Sequence, residues 1–296
     1  MRLLQREDDG NFSLTEFIGD NIPQYAILSH TWGADDEEVT FRDLRKGKRR
    51  AKVGYRKIQF CSDQAAKDGL RYFWVDTCCI DKSSSAELSE AINSMFAWYR
   101  DAARCYVYLS DVSTCDFSSD KLVFQQSRWF TRGWTLQELI APASVEFFTV
   151  EGERLGDKVS MVDELSSITH ISVQALQGCP LRDISVEQRM SWIQSRQTKR
   201  EEDAAYSLLG IFDVYMPLLY GERRENAFAR LTEEINKLSS KESANPKTKH
   251  KHESFSTVPF APDPDFVERP ELLAWVSDRC AQPGARAALV GLGGIG

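Results

Sequence analysis

The sequence predicts an α/β protein: a mainly parallel sheet flanked by helices, followed by a C-terminal helical appendage. Three observations carry this. Short apolar runs alternate with amphipathic helical stretches through residue 150. From there to residue 238 only helical periodicity persists. The 296 residues, 42% of them hydrophobic, are enough to build a sizeable core.

Four stretches read as strands: YAILS (25–29), RYFWVD (71–76), RCYVYLS (104–110) and SVEFFT (144–149). Each is short and rich in β-branched or aromatic residues. Residues 55–68 place Ile58, Cys61 and Ala65 at helical spacing, and residues 87–100 do the same with Leu88, Ile92, Met95 and Tyr99. Ser84 and Glu87 have the spacing of a capping box at the start of the second helix. Strands alternating with helices imply right-handed crossovers and parallel pairing. The ends of 25–29 and 71–76 are therefore expected side by side.

Beyond SVEFFT no further strand is expected. Helices are predicted over 160–176, 185–197, 200–212 and 222–238, broken at GCP (178–180), MP (216–217) and YGE (220–222). The chain thus divides into an α/β core (1–150) and a helical extension (151–238). Residues 239–257 are Ser/Lys-rich with few large apolar side chains, and read as a linker. Residues 258–296 end in AALVGLGGIG, an apolar run entering glycines. Gly291 and Gly296, with Gly293 and Gly294 between them, have the spacing of a phosphate loop. The Lys and Ser/Thr that reach phosphate and magnesium do not follow, so this stretch is expected to be the start of a nucleotide-binding domain cut within its P-loop. It should not bind ATP in the usual way.

The net charge of −7 argues against a nucleic-acid binder. No apolar run approaches the roughly 20 residues that span a bilayer, and MRLLQREDDG is too charged for a signal peptide. The seven cysteines form no CxxC pair, and Cys78 and Cys79 are adjacent. Only His30 and His170 lie outside the polar segment near residue 250. Neither a metal site nor a disulfide framework is expected, and the chain reads as a reduced, cytoplasmic protein.

In open parallel sheets, ligands sit beyond the carboxyl ends of the strands. Those ends carry Ser29-His30-Thr31-Trp32-Gly33, Asp76-Thr77-Cys78-Cys79 and Ser110-Asp111. Singly, each has a structural explanation: a loop bond for His30, a core lid for Trp32, a cap for Asp76, packing for Cys78. Together they mark a candidate site. A Cys78–His30 nucleophile pair is a lesser alternative, lacking an orienting third group. In RGWTLQEL (132–139), Trp134 and Glu138 are four apart and share one helical face. Glu138 is expected to face a cleft, held by His30 or a backbone N–H, with Trp134 buried beneath it; a surface acid partnered by Arg132 is the alternative.

Five ordered blocks make the chain resemble the fungal heterokaryon-incompatibility (HET) domain family: YAILSHTWG (25–33), FWVDTCCID (73–81), SRWFTRGWTLQELIAP (127–142), QRMSWIQSRQTKREEDAAYSLLGIFDV (188–214) and MPLLYGE (216–222). The family's usual Y-G-E-G turn is broken by Arg223. The resemblance implies the N-terminal effector of a NOD-like receptor that triggers cell death in non-self recognition. Self-association on activation, a downstream NACHT or NB-ARC ATPase using ATP and Mg, and a repeat sensor in the same chain go with it. A more distant resemblance is to TIR domains, a flavodoxin-like fold. YAILSHTWG is similar to their first strand, and Trp134 to Leu139 match their W-C-L-x-E-L helix with Thr for Cys. That likeness implies a TIR-like core with NAD as substrate, Glu138 as the catalytic acid, and Ser29, His30, Trp32, Asp76 and Trp134 around the ligand. An adaptor acting by homotypic assembly, without chemistry, is the alternative function.

Overall fold

The computed structural model describes Met1–Ala244, apart from Asp20, residues 47–51 and residues 120–121. The Gly291–Gly296 loop, the segment 258–296 and most of the expected linker lie outside the described residues.

Among the described residues, seven strands form one mixed sheet: β1 (Arg2–Arg6), β2 (Phe12–Glu16), β3 (Tyr25–His30), β4 (Tyr72–Trp74), β5 (Arg104–Tyr108), β6 (Val145–Phe148) and β7 (Arg154–Asp157), in the order β2-β1-β4-β3-β5-β6-β7. The four predicted strands are the parallel block β4-β3-β5-β6, with Ile27 opposite both Trp74 and Cys105. The carboxyl ends of β3 and β4 are neighbours, as expected. Two additions were not foreseen. The β1–β2 hairpin pairs antiparallel to β4 around a turn in which Gly10 takes φ 75°. β7 pairs antiparallel to β6, which corrects the expectation of no strand after residue 149. Both edges are short and half polar, so neither carries the continuous apolar signal of a strand buried on both faces.

Twelve short-to-medium helices among the described residues surround the sheet: α1 (Phe41–Arg45), α2 (Tyr55–Lys67), α3 (Ser85–Arg100), α4 (Thr114–Ser119), α5 (Leu122–Gln125), α6 (Thr135–Ile140), α7 (Val162–Thr169), α8 (Val173–Leu176), α9 (Val186–Ser191), α10 (Asp203–Tyr206), α11 (Leu209–Phe212) and α12 (Arg223–Ala244). Side-chain alternation on the strands explains how they are placed. Tyr106, Tyr108 and Phe148 turn toward α2, where Phe60 meets Tyr108 and Phe148 at 5.0 and 5.1 Å between ring centres. Trp74, Ser29, Cys105 and Phe147 turn to the other face, toward α3, α6 and the turn Arg128–Thr131. Six buried residues in a row along β3 record a strand covered on both faces.

The predicted capping box of α3 is half present. Ser84 accepts the Glu87 N–H, but the Glu87 carboxylate accepts the Asp81 N–H and pairs with Arg2 on β1. The long helices expected over 160–176 and 200–212 are each two short ones. The first breaks at His170 (φ 58°), and α11 ends at Asp213 (φ 54°). α12 runs through Ala244, past the start of the segment read as a linker.

Two backbone positions invite tests. A Cβ on Gly210 of α11 would stand 2.0 Å from Phe96 Cβ on α3, so the two helices meet through a glycine. Gly210→Ala should lower stability by about 1–3 kcal/mol through overpacking, read in denaturant unfolding. Arg223 adopts φ 69°, a left-handed conformation that suits the glycine of the usual Y-G-E-G turn, and its N–H is held by Glu202. Left-handed backbone costs a side-chain-bearing residue about 1–2 kcal/mol. Arg223→Gly should therefore raise stability by up to about 1 kcal/mol after the added freedom of the unfolded chain is counted, read as a higher unfolding midpoint.

Candidate functional site

α6 is short, but it is tied at its start. Thr135 Oγ1 donates to the carbonyls of Trp129 (2.6 Å) and Arg132 (2.8 Å). Gly133 N–H donates to Gln197 O at 2.9 Å, and Gln197 N–H donates to Thr131 O at 2.6 Å. This backbone stitch brings residues from the helical half against the turn before α6. Gly133 makes it possible, since a Cβ there would stand 2.4 Å from Thr198 Cγ2. Arg196, from the same incoming segment, donates through Nη1 to Arg132 O and Thr135 Oγ1, each at 2.8 Å. All six residues of α6 are buried.

Glu138 is 7% exposed and sits under the end of β3. The Ser29 hydroxyl donates to Glu138 Oε2 and accepts the Trp129 indole N–H at 2.8 Å. The Tyr99 hydroxyl lies nearby and donates to Leu28 O at 3.1 Å. Burial pushes the Glu138 carboxyl up to about 8; the Asp76 charge adds to this, and Ser29, Arg196 and Tyr99 oppose it. Burial in turn pushes the Arg196 guanidinium down to about 10, against the pull of Glu138. A carboxyl of that pKa is mostly protonated at neutral pH.

A second constellation lies at the ends of β3 and β4. His30 Nε2 is 3.0 Å from Asp76 Oδ1, and Trp32 Nε1 donates to Asp76 Oδ2 at 2.8 Å. The Lys82 ammonium lies 3.6 Å from the centre of the Trp32 ring and 3.8 Å from Asp76. Burial would raise the Asp76 carboxyl, but Lys82, His30 and Trp32 outweigh it and hold the group well below the usual carboxylate range. His30 Nδ1 is buried without a hydrogen-bond partner among the described residues. The loop that presents Trp32 is clamped from below: Lys57 Nζ donates to Thr31 O (2.9 Å) and pairs with Glu38, which accepts the Gly33 N–H at 2.7 Å.

The residues singled out in the sequence thus separate into two neighbouring groups, Ser29 with Glu138, and His30 and Trp32 with Asp76. Several expectations need correction. Glu138 is held by Ser29, whereas His30 is engaged with Asp76. Glu138 is buried, while Trp134 is only half-buried, at the N-cap of α6. The pattern predicted one shared face with Trp134 the buried member; instead the Ser29 hydroxyl meets the acid inside the core and Trp134 stays half-buried. Among the described residues Arg132 makes no side-chain ion pair with Glu138. Cys78 is fully buried, its thiol is raised by burial, and its sulfur contacts Val75 O, so it does not pair with His30. Sequence reading missed Trp129, Tyr99, Arg196, Lys57 and Lys82. Trp129 and Arg196 carried a signal as members of the 127–142 and 188–214 blocks, and Tyr99 as a member of the apolar stripe over 87–100. No group of three His, Cys, Asp or Glu side chains is placed to hold a metal among the described residues, and no described helix is long and apolar enough to cross a membrane.

A doubly covered parallel sheet with polar residues gathered at its carboxyl edge is the frame on which residues 25–123 match the family described as "Heterokaryon incompatibility protein (HET)". The chain belongs to that family. It is 58% identical over 243 residues to the vegetative incompatibility protein HET-E-1 of Podospora anserina; the match covers 80% of this chain and 18% of that protein. The chain therefore spans under a fifth of this relative's length. No solved structure matches it.

Two outcomes follow from the burial pattern. Because the fold favours the neutral form of Glu138, its contribution to stability is fully present below the ordinary carboxyl value of 4.5 and is lost as pH rises toward about 8. Across that window the loss runs at about 1.4 kcal/mol per pH unit. Glu138→Gln should match the parent near pH 4.5 and become progressively the more stable of the two up to pH 8, in thermal unfolding across that range. Trp129→Ala should cost about 3–5 kcal/mol, as for a fully buried ring, and Trp134→Ala clearly less. Equal losses in the two variants would contradict the burial assigned to them.

Proposed function

We propose that this chain is the effector region of a cytoplasmic incompatibility receptor, triggering cell death in non-self recognition by cleaving NAD when copies are clustered. Family membership and likeness to a vegetative incompatibility protein support the cell-death role. In this reading the receptor's own nucleotide-binding and repeat domains follow in the same chain. ATP with magnesium drives their assembly, and the effectors associate with one another.

The contact between Ser29 and Glu138 carries the enzymatic part. It brings an acid from α6 to the carboxyl end of β3, next to Asp76 and Trp32, where open α/β sheets bind ligands. The parallel strands run 2-1-3-4 in their own chain order, the order of a flavodoxin-like sheet, which supports a TIR-like core. In the reaction, the bond between nicotinamide and ribose breaks with its electron pair leaving on nicotinamide. A water oxygen bonds to the ribose carbon and loses a proton. An ionised Glu138 close to the ribose stabilises the positive charge that develops between those events. Since Glu138 is covered and mostly neutral in the single chain, clustering must open the strand-end loop before the acid meets substrate. NAD consumption should then rise with pH toward 8.

A non-enzymatic adaptor is the second reading, favoured by the burial of Glu138. Forced oligomerisation of the purified chain in the presence of NAD separates the two. The enzyme reading expects NAD loss by the clustered parent, and loss of both turnover and killing in a folded Glu138→Ala variant. Killing by that variant at the parent level, with NAD untouched, would establish the adaptor.

A further inference from the structure

Beside Trp32, where the chain leaves β3, lies an open cleft of about 240 Å³ lined by Trp32, Gly33, Asp35, Arg128, Arg132 and Lys199. Three cations converge there on one acid, in a chain whose net charge is −7. Their placement is fixed by backbone. The parallel bridge between Arg132 and Gln197 puts Arg132 and Lys199 on the same rim, and Asp111 anchors the turn that carries Arg128 by accepting its N–H at 2.8 Å. Lys199 is engaged with Asp35 at 2.6 Å, and Arg128 leans on Asp111 at 3.6 Å, both largely in solvent. Arg132 is half-buried, and its guanidinium has no hydrogen-bond or ion-pair partner among the described residues. Trp32 is 37% exposed, yet its ring is held by Asp76 on its N–H and Lys82 above one face.

We propose that this cleft is a diphosphate-binding subsite, with Arg132 as its principal ligand, Arg128 and Lys199 as flanking charges, and Trp32 as a wall for the ring or sugar attached to the diphosphate. Guanidinium groups meet phosphate oxygens two at a time, which suits a dianion better than a single carboxylate. The volume falls below the roughly 300–1,000 Å³ of pockets that enclose whole ligands. It therefore accommodates the diphosphate and an adjoining edge, while the rest of the ligand extends out of it. A nucleic acid is disfavoured because the loop continues into the exposed Asp35, Asp36 and Glu37, which repel a polyanion at the rim. The cleft opens three residues beyond Ser29, so a diphosphate held there leaves its ribose within reach of the strand end above Glu138. Assigning the ligand as NAD rests on the enzymatic reading above; the diphosphate chemistry does not.

The test is calorimetric titration of the full chain with inorganic pyrophosphate, ADP-ribose and adenosine, in parent, Arg132→Ala and Arg132→Lys forms whose unfolding midpoints confirm folding. Pyrophosphate and ADP-ribose should bind, more weakly as salt rises, and adenosine should not. Arg132→Ala should weaken both ligands at least tenfold, and Arg132→Lys should recover part of the loss. No pyrophosphate binding by the folded parent, or equal binding by Arg132→Ala, overturns the subsite even if clustered protein consumes NAD. Binding that depends on Arg132, without NAD consumption on clustering, upholds the subsite and removes the enzymatic reading.

Discussion

The hydroxyl of Ser29 is the contact on which the packing of the α/β core around α6 depends. It is fully buried on the middle strand of the parallel block, and it accepts from Trp129 while donating to Glu138. A serine in the centre of an apolar strand is tolerated only when both of its hydrogen-bonding roles are filled. Here the partners come from a turn and a helix a hundred residues later. The position of α6, the burial of its carboxyl and the packing of Trp129 against Phe147 at 5.6 Å all rest on that small polar hub. With an alanine at 29, the carboxyl and the indole would each lose a partner inside the core.

Around this hub the strand-end loop is set by charge. Lys57 and Glu38 form a buried pair that also takes up Thr31 O and Gly33 N–H. A buried ion pair contributes little net stability, but here both of its members also bind backbone, so they fix geometry. The result is a Trp32 ring presented at a defined angle, tethered to Asp76 and roofed by Lys82. Electrostatics then act in opposite senses on two nearby acids. Asp76 is kept ionised by cations and donors, and Glu138 is kept mostly neutral by burial. Such divergence between neighbouring carboxyls is a recurrent property of sites that handle protons.

Much of this was legible in the sequence, unevenly and for physical reasons. β3, β4, β5 and β6 are apolar on both faces, so their runs stand out, and their parallel pairing followed from the helices between them. β2 and β7 bury one face at most, β1 buries only Leu3 and Leu4 between polar neighbours, and RLGD (154–157) offers one large apolar side chain among four residues. The residues at the strand ends were identifiable by type and position. Their pairings were not, because periodicity specifies a face and not a partner. Trp134 and Glu138 illustrate the limit: the same spacing that placed them together said nothing of Ser29 below one and Asp203 beside the other. Lys57, Lys82 and Arg196 read as ordinary basic surface residues in one dimension; only folding shows that their charges are spent inward.

The stitch between residues 131–133 and Gln197 has a consequence for how this chain can be divided. It carries the helical half across to the turn that begins α6, so Arg196, buried at the back of the hub, belongs to the same core as the strands. A fragment ending near residue 150 would retain every strand of the parallel block yet expose the back of α6, leaving Thr135 and the Arg132 carbonyl without their guanidinium. The smallest piece able to hold the hub intact must extend through the helices that deliver that arginine. Met1–Ala244 is one compact unit, in which the segment that delivers Arg196 and the start of α6 share a single core.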